Sequence, residues 1–233
     1  MKNLAAKTRS EALELDSAED FEETLINHND KVRSEETATQ TVWLDRKSFR
    51  IAIISIFTAL TVVLGYMLAF IPNIEVFTMM IFLSGFIFGK RDGTLIGAMS
   101  GFIFCFFNPL GATALPLLTY QILHYSLVGF LGALTAGFMH KRDFFKPRED
   151  LYVFPVLLIL GILGALITFF YDIFSSLVDS IWLFGSLDAF LPYYLSGIAF
   201  TTVHLIGNTL VFIFILPGLI QIIYKMLDIP EKR

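Results

Sequence analysis

Cysteine occurs once in the 233 residues, as Cys105 in an apolar run, so no disulfide can form within the chain. No cysteine and histidine cluster has structural zinc spacing, and no two ligand-type residues stand at a metal-motif spacing. There is no Gly-Lys-Ser/Thr phosphate loop, so the chain is expected to hydrolyse no nucleotide itself. Charge is scarce as well: Asp, Glu, Lys and Arg make up 16% of the residues, and a net charge of −4 does not point to nucleic acid.

What is abundant is apolar. Hydrophobic residues account for 55% of the chain and 25 residues are Phe, a balance that belongs to a polytopic membrane protein rather than a soluble domain. The N-terminal stretch differs in kind, with ten acidic and five basic side chains in its first 42 residues and no apolar h-region of a cleaved signal peptide. The expected organisation is an acidic, largely disordered cytosolic tail over 1–45, with at most a short amphipathic helix over 17–26. A membrane domain over 46–227 and a cytosolic end over 228–233 follow.

A crossing helix needs roughly 20 apolar residues. Six candidates occur, over 48–70, 76–88, 94–107, 116–139, 152–178 and 192–224. The second and third are short enough that a re-entrant hairpin stays open, and the last is expected to bend near Pro217-Gly218 or to end in an interfacial piece. Cytoplasmic loops retain Lys and Arg. With six spans and both termini in the cytoplasm, all 17 basic residues fall on the cytoplasmic side and the three outer connections contain none. The fold class expected is therefore all-α, with six transmembrane helices in the cell membrane. The outer side collects Glu75, Asp172, Asp179 and Asp188, with Trp182, Tyr193 and Tyr194 as interface residues.

Gly85, Gly89, Gly93, Gly97 and Gly101 recur every fourth residue across the second and third segments, a spacing that lets helix backbones approach closely. Lys90-Arg91-Asp92-Gly93 lies between the segments and is expected to break the helix, so the register need not carry across it.

Polar side chains within spans are costly and mark candidate sites. Tyr120 and His124 lie one helical turn apart, as do Gln121 and Tyr125, making a polar and aromatic face suited to a heterocycle. His204 and Asn208 share a face of the last span, and counting from Pro192 puts His204 about 18 Å down. Interhelical hydrogen bonding to a neighbouring backbone is the alternative role for this pair. Tyr171 and Asp172 fall near the outer end of the fifth span, about 30 Å along it. Glu75 follows Pro72-Asn73 and serves either a ligand or a helix dipole. Asn108-Pro109 and Gly111 describe a turn, and the segment from there to Pro116 has the length to fold over the outer mouth as a lid. Asn73, Glu75, Asn108, Tyr120, Gln121, His124, Tyr171 and Asp172 all map to one side of the membrane, which favours a binding site over scattered packing roles. Leu195-Ser196-Gly197 ahead of His204 has only a superficial likeness to a serine intramembrane protease, because Tyr194 stands where a Gly is needed and one helix is a poor frame for a nucleophile and its base.

The chain resembles the substrate-binding S components of energy-coupling factor transporters, small six-span proteins that capture vitamins and related micronutrients. The stretches that carry the resemblance are Pro72-Asn73-Ile74-Glu75-Val76, Phe88-Gly89-Lys90-Arg91-Asp92-Gly93 with Gly97-Ala98-Met99-Ser100-Gly101, Phe107-Asn108-Pro109-Leu110-Gly111, Phe170-Tyr171-Asp172 and Val203-His204-Leu205-Ile206-Gly207-Asn208. They span most of 48–224. The resemblance implies a transmembrane coupling subunit and two ABC ATPases as partners, a vitamin-like ligand held near the outer face, and reorientation of the whole subunit in the bilayer to deliver it. It also implies a small-residue docking face on the first helix, to which Ala52, Ser55 and Ala59 correspond. Neither a catalytic role nor a cofactor is expected. A standalone carrier or channel for a small metabolite is the alternative function, and an intramembrane enzyme a more distant one.

Overall fold

The computed structural model describes residues 47–71 and 75–226. The acidic tail with its expected helix over 17–26, Asn73, and the C-terminal end at 228–233 lie outside the described residues. Everything with regular structure is helical: α1 Lys47–Leu68, α2 Phe77–Phe88, α3 Lys90–Phe106, α4 Leu115–Met139, α5 Phe154–Phe184, a 3-10 turn Leu187–Ala189, α6 Phe190–Ser196, α7 Ile198–Phe214 and α8 Leu216–Met226. Among the described residues no strand occurs.

Among the described residues four stretches are long and apolar enough to cross a membrane, Ser48–Leu68, Leu115–Met139, Phe154–Phe184 and Ile198–Met226. Large side chains such as Ile56, Leu123, Ile162 and Phe200 stand exposed on them, as lipid-facing surfaces require. The 12-residue α2 is apolar too, but spans only about 18 Å against roughly 30 Å of hydrocarbon. Its surroundings explain the brevity. Phe77, Ile81, Phe82 and Leu83 are almost fully buried, so α2 is wrapped by protein and has little need to match the bilayer.

Three helices meet around α2 through glycine. A Cβ on Gly85 of α2 would fall on the Gly129 carbonyl of α4, and one on Gly93 of α3 would fall on the Gly85 Cα. Backbones of α2, α3 and α4 therefore touch directly, as the small-residue spacing implied. The break between α2 and α3 differs from expectation. Lys90-Arg91-Asp92-Gly93 forms the first turn of α3, with Gly93 N–H donating to Gly89 O at 2.9 Å. Gly89 alone makes the turn, at φ 88°, a conformation that side chains disfavour. Asp92 sits in that first turn, where the helix dipole favours an acid.

The C-terminal third is also divided differently. One bent span over 192–224 was expected, and the structure breaks the chain at Gly197 and again at Ile215. Pro217 falls in the first turn of α8, which tolerates its missing N–H, so the bend sits just upstream of it. Tyr152 OH donates to Phe214 O at 2.8 Å there. Helix α5 runs six residues past its expected end at 178 and stops at Gly185, whose φ is 65°. Tyr224 OH donates to His140 Nε2 at 2.6 Å while His140 Nδ1–H donates to Ala136 O at 2.6 Å, tying α8 to the end of α4.

Candidate functional site

The end of α1, Glu75 just ahead of α2, the end of α3 with the 107–114 connection, and Tyr125 of α4, Tyr171 of α5 and His204 of α7 converge. A cavity of about 220 Å³ lies there, lined in part by Leu68, Glu75, Phe104, Asn108, Tyr125, Tyr171, Asp172 and His204.

The polar floor is built on two facing helices. On α5, Thr168 and Asp172 are one turn apart; on α7, His204 and Asn208 are one turn apart, so two pairs oppose each other. His204 Nδ1 lies 2.9 Å from Asp172 Oδ1 and Nε2 lies 3.4 Å from Glu75 Oε1, so each ring nitrogen faces a carboxylate. Asn208 Nδ2 lies 3.2 Å from the same Nε2, so this nitrogen either donates to Glu75 or accepts from Asn208, according to whether it carries a proton. Asn208 Nδ2 donates to Thr168 Oγ1 at 2.9 Å and to Glu75 Oε1 at 3.3 Å. Thr168 in turn donates to Gly164 O at 2.9 Å. Glu75 Oε1 also accepts from Thr78 Oγ1, in the first turn of α2. Burial pushes the Glu75 carboxyl up, but the hydrogen bond and charge of His204, with the hydrogen bonds of Thr78 and Asn208, outweigh it and hold the carboxyl below its ordinary range.

Aromatic rings form the wall beside this floor. Tyr171 meets His204 edge to face at 5.9 Å and His124 at 5.0 Å between ring centres, and Tyr125 packs 5.8 Å from Tyr171. Gln121 Nε2 donates to Tyr171 OH at 2.8 Å, fixing the ring from behind. Tyr120 OH lies 3.2 Å from Phe170 O and 3.4 Å from His124 Nδ1. Four buried atoms in this region have no hydrogen-bond partner among the described residues: Asp172 Oδ2, Asn208 Oδ1, Gln121 Oε1 and His124 Nε2. Buried polar groups are nearly always satisfied, so this concentration marks a place where a further molecule would complete the bonding.

Glu75, Asp172, His204 and Asn208 thus come together in one hydrogen-bonded group, although they are far apart in sequence. Tyr171 lines the cavity beside them. Tyr120, Gln121 and His124 stand a layer back, packing on or bonded to Tyr171. Asn108 lines the cavity, yet its Oδ1 accepts from Leu110 N–H at 2.9 Å, so its side chain also shapes the turn. Leu110 lines the cavity too, and Thr113 N–H donates to Cys105 O at 3.1 Å, folding this segment back over the end of α3.

Two expectations change. His204 sits six residues into α7, about 9 Å from its start, because the break at Gly197 interrupts the continuous count from Pro192. Its interhelical partners are the carboxylates of Asp172 and Glu75 rather than a neighbouring backbone. Ser196 Oγ donates to Tyr193 O at 2.6 Å on the far side of that break.

Residues not picked out from sequence also matter. Thr168 was readable, standing one turn before Asp172 in an apolar helix, as was Thr78 after Glu75. Tyr125 was noted only as part of a face. Phe104 carried no signal, being one Phe among many. Comparison of the chain with models of known families, with curated proteins and with solved structures finds no match.

Proposed function

We propose that the chain is the substrate-binding membrane subunit of an energy-coupling factor transporter. It captures a vitamin or related micronutrient at the outer face, for uptake driven by ATP hydrolysis in partner subunits. The observation that carries this reading is the group of buried Asp172, His204 and Asn208 with partly buried Glu75 on the floor of an aromatic-walled cavity, with bonding capacity left over. A purely structural cluster has no reason to leave a carboxylate oxygen unpaired beside a void. Cavities with a few convergent polar groups among aromatic walls are the usual form of a small-molecule site.

Further support comes from the distribution of charge. Six crossings, with α2 and α3 counted as the second and third, put every Lys and Arg in the cytoplasm together with both termini and leave the cavity at the outer face. On α1, Ala52, Ser55 and Ala59 are all exposed, one turn apart in succession, and offer a flat face for the transmembrane coupling subunit.

Reconstitution tests the proposal. The purified chain in liposomes should bind but not accumulate a micronutrient, and addition of a coupling subunit with two ABC ATPases and internal ATP should produce uptake. Accumulation by the chain alone would make it a standalone carrier instead.

A further inference from the structure

Resting on the reading of the cavity as a ligand site, we infer that its ligand is a small organic cation, a ring-bearing amine or amidine whose N–H groups donate to Asp172 and Glu75. The charge balance of the lining comes first. Two carboxylates, Glu75 and Asp172, flank one histidine, so a negative charge remains even with a full positive charge on His204. Among the described residues that line it, none is Lys or Arg. An anion placed there would meet uncompensated like charge, whereas a monocation neutralises it.

Bonding capacity points the same way. Asp172 is only 8% exposed, its Oδ1 is taken by His204, and its Oδ2 lacks any partner. A carboxylate oxygen only accepts, so the missing partner must be a donor. Asn208 Oδ1 is a second buried acceptor without a donor among the described residues, while Asn208 Nδ2 lies within bonding distance of Thr168, Glu75 and His204.

Shape and walls specify the rest. At 220 Å³ the cavity is below the usual size for drug-like ligands and equals the liquid volume of about seven waters, enough for one ring with a short substituent. Phe104, Tyr125 and Tyr171 supply aromatic surface on which a flat cation gains both stacking and cation–π attraction. An inorganic ion fits less well, because both nitrogens of His204 already face carboxylates and none is free to ligate.

Two sets of ring compounds matched in shape and differing in charge provide the test: benzamidine, benzamide and benzoate, and 3-picolylamine, nicotinamide and nicotinate. Each is titrated against the full chain in detergent, reading binding by calorimetry and by thermal shift. Benzamidine and 3-picolylamine should bind at least about tenfold more tightly than their neutral and anionic counterparts. Asp172→Asn and Glu75→Gln should each erase most of that preference. Equal or tighter binding of benzoate or nicotinate would overturn the inference while leaving the cavity a ligand site. If no compound of any charge bound the wild-type chain, the inference and the ligand-site reading would both fall. Tighter binding of sodium or a divalent ion than of either organic cation would also overturn it.

Discussion

Where α2, α3 and α4 meet, Gly85, Gly93 and Gly129 press backbone against backbone among mostly apolar side chains such as Phe82, Phe86 and Val128. Across the cavity, α5 and α7 meet through Thr168, Asp172, His204 and Asn208, and that contact leaves bonding capacity unused. Both regions are buried, the first joining three consecutive helices and the second two helices with the 187–196 segment between them. The difference teaches how a small membrane protein divides its work. Shape alone holds the first contact, which can be rigid because it has no other task. Polar groups that are only partly satisfied hold the second, and an incoming molecule can complete them.

If the first contact depends on shape, enlarging it should have the largest effect. Gly85→Leu, with no room before the Gly129 carbonyl, should abolish recovery of monodisperse protein, since overpacking against a backbone cannot relax as it does against side chains. Size-exclusion profiles of Gly85→Leu beside Gly137→Leu, where a Cβ meets open space, give the check. A well-behaved Gly85→Leu would remove the contrast between the two regions.

Changes in the polar contact should act on ligand before fold. Asp172→Asn keeps the size of the side chain and an acceptor for His204, so the protein should remain folded. Losing a charged hydrogen bond to ligand should cost about 1.5–3 kcal/mol, or roughly tenfold to a hundredfold in affinity. Calorimetric titration of wild type and variant measures it, and unchanged affinity would place the ligand elsewhere.

The proposed docking face on α1 belongs to neither contact, and its variants separate binding from transport. Ser55→Trp with Ala59→Trp should abolish uptake in a reconstituted complex while ligand affinity changes less than about twofold. Weakened binding by that pair would mean that α1 shapes the cavity more than it shapes a partner surface.

The smallest effect concerns protons. Because the Glu75 carboxyl is held below its ordinary value of 4.5, its ionisation adds stability that is present above that pH and lost as pH falls through the lowered value. The unfolding midpoint of wild type should therefore drop more steeply below about pH 4.5 than that of Glu75→Gln. Parallel curves would show that the hydrogen bonds from His204, Thr78 and Asn208 do not favour the carboxylate.

Much of this arrangement was legible in the chain, for a physical reason. Polar residues in an apolar segment are expensive, so Glu75, Asp172, His204 and Asn208 stand out wherever they fall, and the glycine spacing exposes the tight contact of α2 with its neighbours. What escaped was geometry set by a single residue. Gly89 takes the turn that Lys90-Arg91-Asp92-Gly93 was expected to make, and Gly197 interrupts what reads as one apolar run, moving His204 to within about 9 Å of a helix start. The aromatic wall was hard to read because Phe104 looks like any other core residue in a chain with 25 Phe. The layering of Tyr120, Gln121 and His124 behind Tyr171 depends on how α4 and α5 cross, which spacing along one helix does not encode.

The account rests most directly on the claim that the unsatisfied floor of the cavity holds a ligand. Native mass spectrometry of gently purified wild-type protein and of Asp172→Ala, prepared side by side from the same cells, measures this. Wild type should carry a small molecule that is released on denaturation, and Asp172→Ala, folded but lacking that carboxylate, should not. A wild-type chain with nothing bound, or the same molecule retained equally by both proteins, would contradict it.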